Sequence, residues 1–136
     1  MTFEEFKGCS TLVYQFFGAL DRRDHQFVAN LIAKDGVWHR QGVELRGPVA
    51  VLAALEARDS SRKTCHLVTN LQVEETTQAT ARARYYMTAY ETQMAADGAA
   101  STPRMIGVRE CTDDLVLEEG YWRIECKKSH LVMPAA

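Results

Sequence analysis

The sequence has no long apolar run and no excess of charge of one sign. Residues 12–20 form its first apolar stretch, but Gln15 and Gly18 interrupt it, and no window approaches the ~20 apolar residues of a membrane-spanning helix. Sixteen Lys and Arg residues stand against eighteen Asp and Glu, which gives a formal net charge of −2. Because nucleic acids and anionic membranes are bound through basic patches, we expect neither as a partner.

Cysteine is scarce, and its spacing fits no common metal or redox motif. The four cysteines show no CxxC pair and no histidine at zinc-finger spacing. They are Cys9, Cys65, Cys111 and Cys126. This pattern favours reduced, mostly buried thiols in a cytoplasmic protein, and we expect no metal and no cofactor. The first residues are acidic where a signal peptide would be basic, so no secretion signal is expected.

What the sequence does have is the composition of an ordinary globular domain. Its 136 residues are 46% hydrophobic and 25% charged, with eight Gly and three Pro. At this length folding removes roughly two thirds of the unfolded chain's surface from water, which is enough for a core without disulfides. We therefore expect one domain over residues 1–136.

Two helices are predicted at the start of the chain. Thr2 and Glu5 form a capping box ahead of apolar residues at helical spacing, which predicts a first helix that runs to about Leu20. Asp24 can cap a second, shorter helix. Gly36 is expected to end that second helix, because a left-handed residue is common at a helix C-terminus.

The rest of the chain predicts a hairpin, a third helix and a set of long strands. The segment 36–45 is typical of a short hairpin that turns at Gln41-Gly42, and Gly47-Pro48 is typical of a helix start. Four strands rich in Val, Thr, Tyr and Leu are predicted, at residues 64–74, 78–93, 105–115 and 121–132. This order indicates an α+β fold, with helices on one face of a curved antiparallel sheet.

Two segments resemble a known superfamily. They are Ala33-Lys34-Asp35-Gly36-Val37-Trp38-His39 and Gly120-Tyr121-Trp122-Arg123-Ile124. Together with the order of the elements, they resemble the nuclear transport factor 2-like superfamily, in its SnoaL-like branch. The resemblance covers essentially the whole chain. It implies a cone-shaped fold whose curved, mixed sheet wraps around the long first helix and encloses one deep, mostly apolar pocket.

Two shorter segments resemble the catalytic segments of particular enzyme families. Leu20-Asp21-Arg22-Arg23-Asp24 and Cys65-His66-Leu67-Val68-Thr69-Asn70 look like the Asp and His segments of scytalone dehydratase and hexachlorocyclohexane dehydrochlorinase. In those enzymes an Asp–His pair removes a proton from a carbon next to a leaving group. The resemblance therefore implies Asp21 and His66 as catalytic residues. Such a pair can remove a proton, because a carboxylate on one imidazole nitrogen fixes the tautomer in which the other nitrogen is the base.

The sequence also departs from these families. Phe16 stands where the dehydrochlorinase has a lysine, and Leu20 stands where scytalone dehydratase has a tyrosine, so neither substrate is implied. Ketosteroid isomerase, a fold relative, keeps its base carboxylate on the first hairpin. His39 and Arg40 occupy that stretch here, so its mechanism is not expected.

Spacing adds further pocket residues. Tyr14 and Asp21 are seven residues apart, close to two helical turns, so we expect them to share a pocket-lining face with Phe17. Asn70 lies four residues after His66, on the same strand face, where it could form a polar pocket wall or face solvent. The substrate-binding candidates are Tyr14, Phe17, Trp38, Asn70, Tyr85, Tyr86 and Lys128. For Trp38 a place in the core is the alternative.

The last strands contain further candidates for substrate binding and for the leaving-group acid, and the alternation of side chains alone cannot choose among them. Inward-facing Trp122, Ile124 and Cys126 would alternate with outward-facing residues that include Lys127. Continuing that parity places Lys128 and His130 inward, where either could bind an anionic substrate, and fraying of the C-terminal end of the strand is the alternative. The candidates for the leaving-group acid are Tyr85, Tyr86, Tyr90 and Arg109.

Two functions of different classes fit these features. The first is a cofactor-independent lyase or isomerase that acts on a small cyclic or polyketide-like molecule through Asp21 and His66. The second is a non-catalytic ligand-binding protein or accessory subunit, like the small subunit of ring-hydroxylating dioxygenases, which shares the fold and carries no metal. The Asp–His pair favours the first function, and the lack of an assigned leaving-group acid keeps the second open.

The first long strand also predicts self-association. If its pocket-facing residues are His66, Val68, Asn70 and Gln72, the opposite face is more apolar. That opposite face consists of Cys65, Leu67, Thr69, Leu71 and Val73. Because an exposed apolar face is usually covered by a partner, we expect a homodimer or homotrimer through the outer face of the sheet.

Overall fold

A computed structural model describes residues 1–135 of the chain, and within them it has three helices and six strands. In chain order they are α1 (Phe3–Asp21), α2 (His25–Asn30), β1 (Ile32–Arg40), β2 (Val43–Arg46), α3 (Gly47–Glu56), β3 (Arg62–Thr77), β4 (Thr80–Gln93), β5 (Arg104–Glu118) and β6 (Tyr121–Met133). The strands form one sheet in the order β2-β1-β6-β5-β4-β3. All neighbours are antiparallel except β1 and β6, which are parallel. The α+β expectation is confirmed.

Helix α1 is fixed by its N-terminal cap and by its apolar face. The Glu5 backbone N–H donates to the Thr2 hydroxyl (3.1 Å), and the Thr2 backbone N–H donates to the Glu5 carboxylate (2.9 Å), so the predicted capping box is confirmed. Val13 and Phe16 are fully buried in the core cluster that α1 shares with the sheet. Burying a side chain of this size contributes about 1.5–3 kcal/mol.

The second helix begins where predicted and ends earlier. The Phe27 backbone N–H donates to the Asp24 carboxylate (3.3 Å), as expected for a cap. The prediction that Gly36 ends this helix is wrong, because the helix ends at Asn30 and Gly36 lies inside β1. A Cβ at Gly36 would stand 2.5 Å from the Ile124 carbonyl oxygen, so close approach of β6 requires the glycine.

The hairpin and the third helix match their sequence signals. Gln41 and Gly42 both have left-handed backbone conformations (φ 52° and 79°), which is the requirement of a type I′ turn. Helix α3 begins at Gly47 with Pro48 in its first turn. Its Val51 and Leu55 are fully buried.

An irregularity in β3 reverses the predicted alternation of its side chains. Thr69 pairs with Tyr86, but the next pair is Gln72 with Arg84, so β3 carries one extra residue at this point. Asn70 takes up the extra length in a left-handed conformation (φ 54°), and it is exposed. The prediction that Asn70 faces the pocket is therefore wrong.

The same bulge corrects the predicted outer face of β3. Leu71 and Val73 pack against the core cluster, although unbroken alternation placed them outward. Cys65, Leu67 and Thr69, which precede the bulge, are exposed as predicted.

A second irregularity, in β6, has a larger effect on the site. Ile124 pairs with Leu115 and Cys126 pairs with Asp114, so one residue of β6 is unpaired between them. As a result Ile124 and Lys127 are both buried, at 0% and 4% exposure. The predictions that Lys127 faces outward and that His130 faces inward are wrong, since the His130 side chain is 70% exposed.

Candidate active site

A cavity of about 270 Å³ opens on the concave face of the sheet. Its walls come from the C-terminal end of α1, the end of β1, the segment after α3, and the inner faces of β3, β4, β5 and β6. The volume is near the lower end of the range of small-molecule sites. The cavity therefore suits a ligand of one or two rings rather than a long chain.

The imidazole of His66 faces open space because its neighbours across the sheet are small. His66 pairs with Ala89 on β4, and Ala89 pairs with Gly107 on β5, and all three residues line the cavity. Gly107 has a φ of 148°, and a Cβ there would stand 3.2 Å from the Leu131 side chain. A larger residue at position 89 would reduce the cavity space beside the imidazole.

Asp21, the last residue of α1, binds His66 through both of its carboxylate oxygens. Nδ1 of His66 lies 2.6 Å from Oδ1 of Asp21, and the His66 backbone N–H donates to Oδ2 (2.8 Å). The hydroxyl of buried Thr64 also donates to Oδ1 (2.9 Å). Hydrogen bonds to a carboxylate are among the strong ones, so the side chain of Asp21 is held in one orientation.

The electrostatics of Asp21 determine which nitrogen of His66 carries the proton. Burial raises the pKa of the Asp21 carboxyl, but the hydrogen bonds from His66 and Thr64 outweigh burial and leave that pKa below its ordinary value. Asp21 is therefore ionised near pH 7 and accepts only, so the proton of a neutral His66 lies on Nδ1. Nε2 then carries a lone pair, and it makes no hydrogen bond to any group in residues 1–135.

Phe17 packs against the imidazole of the Asp21–His66 pair. Its ring stacks on the His66 ring, with centroids 5.4 Å apart and an angle of 29° between the planes. It also contacts Tyr85 edge-on at 5.9 Å. Phe17 lines the cavity, which is the place that the sequence predicted for it. The stacking leaves the imidazole little freedom to rotate away from Asp21.

A second charged cluster borders the cavity through Lys127. Nζ of Lys127 lies 2.7 Å from the Tyr85 hydroxyl and 3.2 Å from Oδ2 of Asp113, and the Tyr85 hydroxyl donates to the same Oδ2 (2.7 Å). Burial, and next the charge of Asp113, raise the pKa of Tyr85 well above its ordinary value, so its hydroxyl stays protonated. Tyr85 was predicted to bind substrate, but its hydroxyl is used within this network.

Sequence reasoning missed the Lys127–Asp113 pair. The two residues are direct partners in the β5–β6 ladder. Their opposite charges become visible as a pair only when the register is known, and the bulge in β6 hides that register from the sequence.

The structure places the other candidates on different surfaces. Trp38 lines the cavity and packs edge-on against Phe16 (5.2 Å), so it has both a core contact and a cavity contact. Tyr14 is 53% exposed and does not line the cavity, so its predicted place in the pocket is wrong. Lys128 borders the cavity but is itself exposed.

Only one of the four leaving-group candidates lies in the cavity wall. Arg109 lines the cavity, and it donates from Nε to the Ser129 hydroxyl (2.7 Å). Tyr86 and Tyr90 alternate with the cavity-lining residues of β4, so they lie on its outer face, and the prediction that Tyr86 binds substrate is wrong.

The sequence comparison decides the family. Residues 4–127 match the sequence model of a SnoaL-like domain. The chain belongs to the SnoaL-like family. Among curated proteins, none matches this SnoaL-like domain in sequence.

Solved structures confirm the fold of the SnoaL-like domain. Three similar ones come from Novosphingobium aromaticivorans. A candidate scytalone dehydratase has a TM-score of 0.81 at 16% identity, over 95% of this chain and 85% of that one. A candidate aromatic ring hydroxylase has a TM-score of 0.80 at 19% identity, over 100% of this chain and 94% of that one, and an NTF2-like protein with a cystatin-like fold has a TM-score of 0.76 at 17% identity, over 95% and 82% of the two chains. At such identities the likeness shows the fold alone.

In the part of the chain that the structure describes, no three His, Cys, Asp or Glu side chains come together as a metal site, and the expectation of a metal-free, cofactor-free protein stays a prediction. None of the helices within residues 1–135 has the length and apolar character needed to cross a bilayer.

Proposed function

We propose that this SnoaL-like domain is a cofactor-independent lyase or isomerase in which His66, oriented by Asp21, removes a proton from a carbon of a small cyclic or polyketide-like substrate. The observation that supports the proposal is the arrangement of the imidazole, with Nδ1 bound to Asp21 at 2.6 Å and Nε2 unbound in a residue that lines the cavity. An imidazole held in this way is a general base.

The proton transfer follows from that geometry. Nε2 takes a proton from a carbon next to a carbonyl group, so that a C–H bond breaks, an N–H bond forms and the electron pair moves into an enolate. Asp21 stabilises the imidazolium that results. In a lyase the enolate then expels a group from the β carbon, and the imidazolium returns its proton to that group. In an isomerase the proton returns to another carbon of the substrate.

Arg109 is suited to stabilise the enolate oxygen. It lines the same cavity, and its contacts with Ser129 involve Nε and Nη2, which leaves Nη1 without a hydrogen bond within residues 1–135. A guanidinium does not give up its proton near neutral pH, so its contribution is a fixed positive charge rather than a proton. The leaving group would then receive its proton from His66 itself.

The solved relatives support the class of reaction and also one alternative. A structure named as a candidate scytalone dehydratase has the same fold, which is consistent with elimination of water. A candidate aromatic ring hydroxylase also has this fold and aligns over the whole of this chain. The alternative function is a non-catalytic ligand-binding protein or accessory subunit. Turnover by the isolated domain distinguishes the two.

The test is exchange or elimination at an acidic C–H bond. The purified domain is incubated in D₂O with a panel of small cyclic β-hydroxy ketones, and proton NMR follows the α-proton signal and the appearance of enone. We expect turnover by the wild type and loss of turnover in His66→Gln, with unchanged melting temperature. A histidine outside the cavity, His130, provides the matched control His130→Gln. Retention of the rate in His66→Gln would show that the base lies elsewhere.

A further inference from the structure

The cavity wall is strongly basic although the protein as a whole is acidic. Six Lys or Arg residues line it and no Asp or Glu does, whereas the entire chain has a net charge of −2. The six are Arg40, Arg58, Arg62, Arg109, Lys127 and Lys128. A concave site with charge of one sign focuses the field and attracts ligands of the opposite charge.

Most of these cations already have partners within the protein. Arg62 pairs with Glu91 at 2.5 Å, and Lys127 pairs with Asp113 at 3.2 Å. Arg58 donates to the Leu20 carbonyl and to the Thr64 hydroxyl, each at 3.4 Å, so it supports the group that positions Asp21.

Arg40 is different, because it is half-buried and has no polar partner among residues 1–135, whereas Lys128, which also has none there, is exposed to solvent. Arg40 is the last residue of β1, and its guanidinium lies 5.5 Å from the ring centroid of Trp38. Burial, and next the charge of Arg62, lower the pKa of the Arg40 guanidinium. A partly desolvated cation whose charged neighbours are also cations costs free energy, and an anion at this position would offset that cost.

We propose that the ligand of this cavity carries a carboxylate and that Arg40 binds it. A guanidinium and a carboxylate match in shape and bind through two parallel hydrogen bonds. The Trp38 ring next to Arg40 gives an apolar surface for the planar part of such a ligand. The inference deepens the proposed function and rests on it for one point, that the rest of the ligand extends from Arg40 toward His66.

Binding can be measured without turnover. Isothermal titration calorimetry compares 2-naphthoate with 2-naphthamide, which have nearly the same shape and differ in charge. We expect the wild type to bind the acid about 10- to 100-fold more tightly than the amide, which is the effect of a hydrogen-bonded charge pair. Equal affinities, or no saturable binding of the acid up to about 10 mM, would overturn the proposal.

Two variants assign the preference to Arg40. Arg40→Gln is expected to bind the acid and the amide with equal affinity. Arg46→Gln is the matched control, because Arg46 lies on the same hairpin, is 70% exposed and pairs with Glu44 outside the cavity. We expect it to keep the wild-type preference. Retention of the preference by Arg40→Gln would show that another cation binds the carboxylate.

His66→Gln separates this inference from the proposed function. It should lose turnover and keep the preference for the acid. If turnover survives in His66→Gln while Arg40→Gln loses the preference, the proposed base is wrong and the carboxylate site stands. If turnover is lost and Arg40→Gln keeps the preference, the base stands and the carboxylate site is wrong.

Discussion

Two acid–base pairs lie close to Phe17, and they differ in what they leave unbound. The Asp21–His66 pair has side chains 20% and 10% exposed, and Nε2 of the imidazole has no partner in the described chain. The Asp113–Lys127 pair is more deeply buried, at 0% and 5% exposure, and Nζ of Lys127 donates to Tyr85 and to both oxygens of Asp113.

Burial and charge alone do not make a reactive site. Each pair has short contacts between an acid and a base, and each lies beside the cavity. Only the first keeps an atom with a lone pair for a ligand, whereas the second satisfies its own donors and acceptors. We therefore expect the first pair to affect rate and the second to affect stability.

The strongest test of this comparison is the rate of proton transfer. Asp21→Asn and His66→Gln should each reduce turnover by about 10²–10⁴-fold. Because the two residues act as a unit, the double variant should be scarcely slower than His66→Gln. Asp35→Asn, on an exposed aspartate of β1, should keep the wild-type rate. Additive losses in the double variant would contradict a coupled pair.

Removal of Lys127 should have the largest effect on stability. Lys127→Met leaves the fully buried Asp113 carboxylate without its cation, which is expected to reduce the free energy of unfolding by about 3–5 kcal/mol. Denaturant titration measures this loss. The adjacent exposed residue gives the control Lys128→Met, which should change stability by less than about 0.5 kcal/mol. Similar losses in the two variants would contradict the structural role.

Thr64 should contribute to both turnover and stability, each by a smaller amount. Thr64→Val removes the hydroxyl that donates to Asp21 at 2.9 Å, and it should cost about 1 kcal/mol of stability. It should also slow turnover several-fold, since Asp21 is less firmly oriented. Thr64→Ser keeps the hydroxyl and should retain most of the rate. If Thr64→Ser is as slow as Thr64→Val, packing rather than the hydrogen bond is responsible.

Lowering the pH should reduce the stabilisation that Asp21 gives to the folded state. The pKa of Asp21 is lower in the folded state than its ordinary value, so the unfolded chain binds the proton first as the pH falls. The stabilisation by Asp21 is complete above its unfolded pKa of about 4 and is lost as the pH falls through the lower folded value. Denaturant titrations between about pH 6 and pH 2 should show the wild-type advantage over Asp21→Asn shrinking with acid. A constant difference would exclude the linkage.

Self-association through the outer face of the sheet should leave the Asp21–His66 and Asp113–Lys127 contacts nearly unchanged. On the outer face of the sheet, Leu67 is 48% exposed and Tyr90 is 38% exposed, and neither lines the cavity. We expect a homodimer or homotrimer at micromolar concentration by light scattering. Leu67→Glu should shift the mass toward the monomer with little change in melting temperature. A monomeric wild type would contradict the expectation.

Local signals in the sequence predicted most of the fold. The capping box at Thr2, the cap at Asp24, and the Gln41-Gly42 turn depend on neighbours within a few residues, and the structure has all three. The bulges in β3 and β6 depend on pairing between distant strands, so counting alternate residues failed after Thr69 and after Ile124.

The site could be predicted only where a resemblance supplied distant positions. Asp21 and His66 are 45 residues apart, and no local pattern indicates that they meet. The basic cavity wall was missed, since residues such as Arg40 and Arg58 come from separate elements that only the curvature of the sheet brings together.

The position of β6 has a consequence for synthesis of the chain. This strand follows all other elements in sequence, yet it lies between β1 and β5 in the interior of the sheet. A polypeptide leaves the ribosome with its N-terminal part first, so β1 and β2 emerge long before the strand that joins them to β5. Until β6 arrives, the hairpin with Trp38 and Arg40 has no ladder that connects it to the sheet with His66. The nascent chain therefore completes its cavity last.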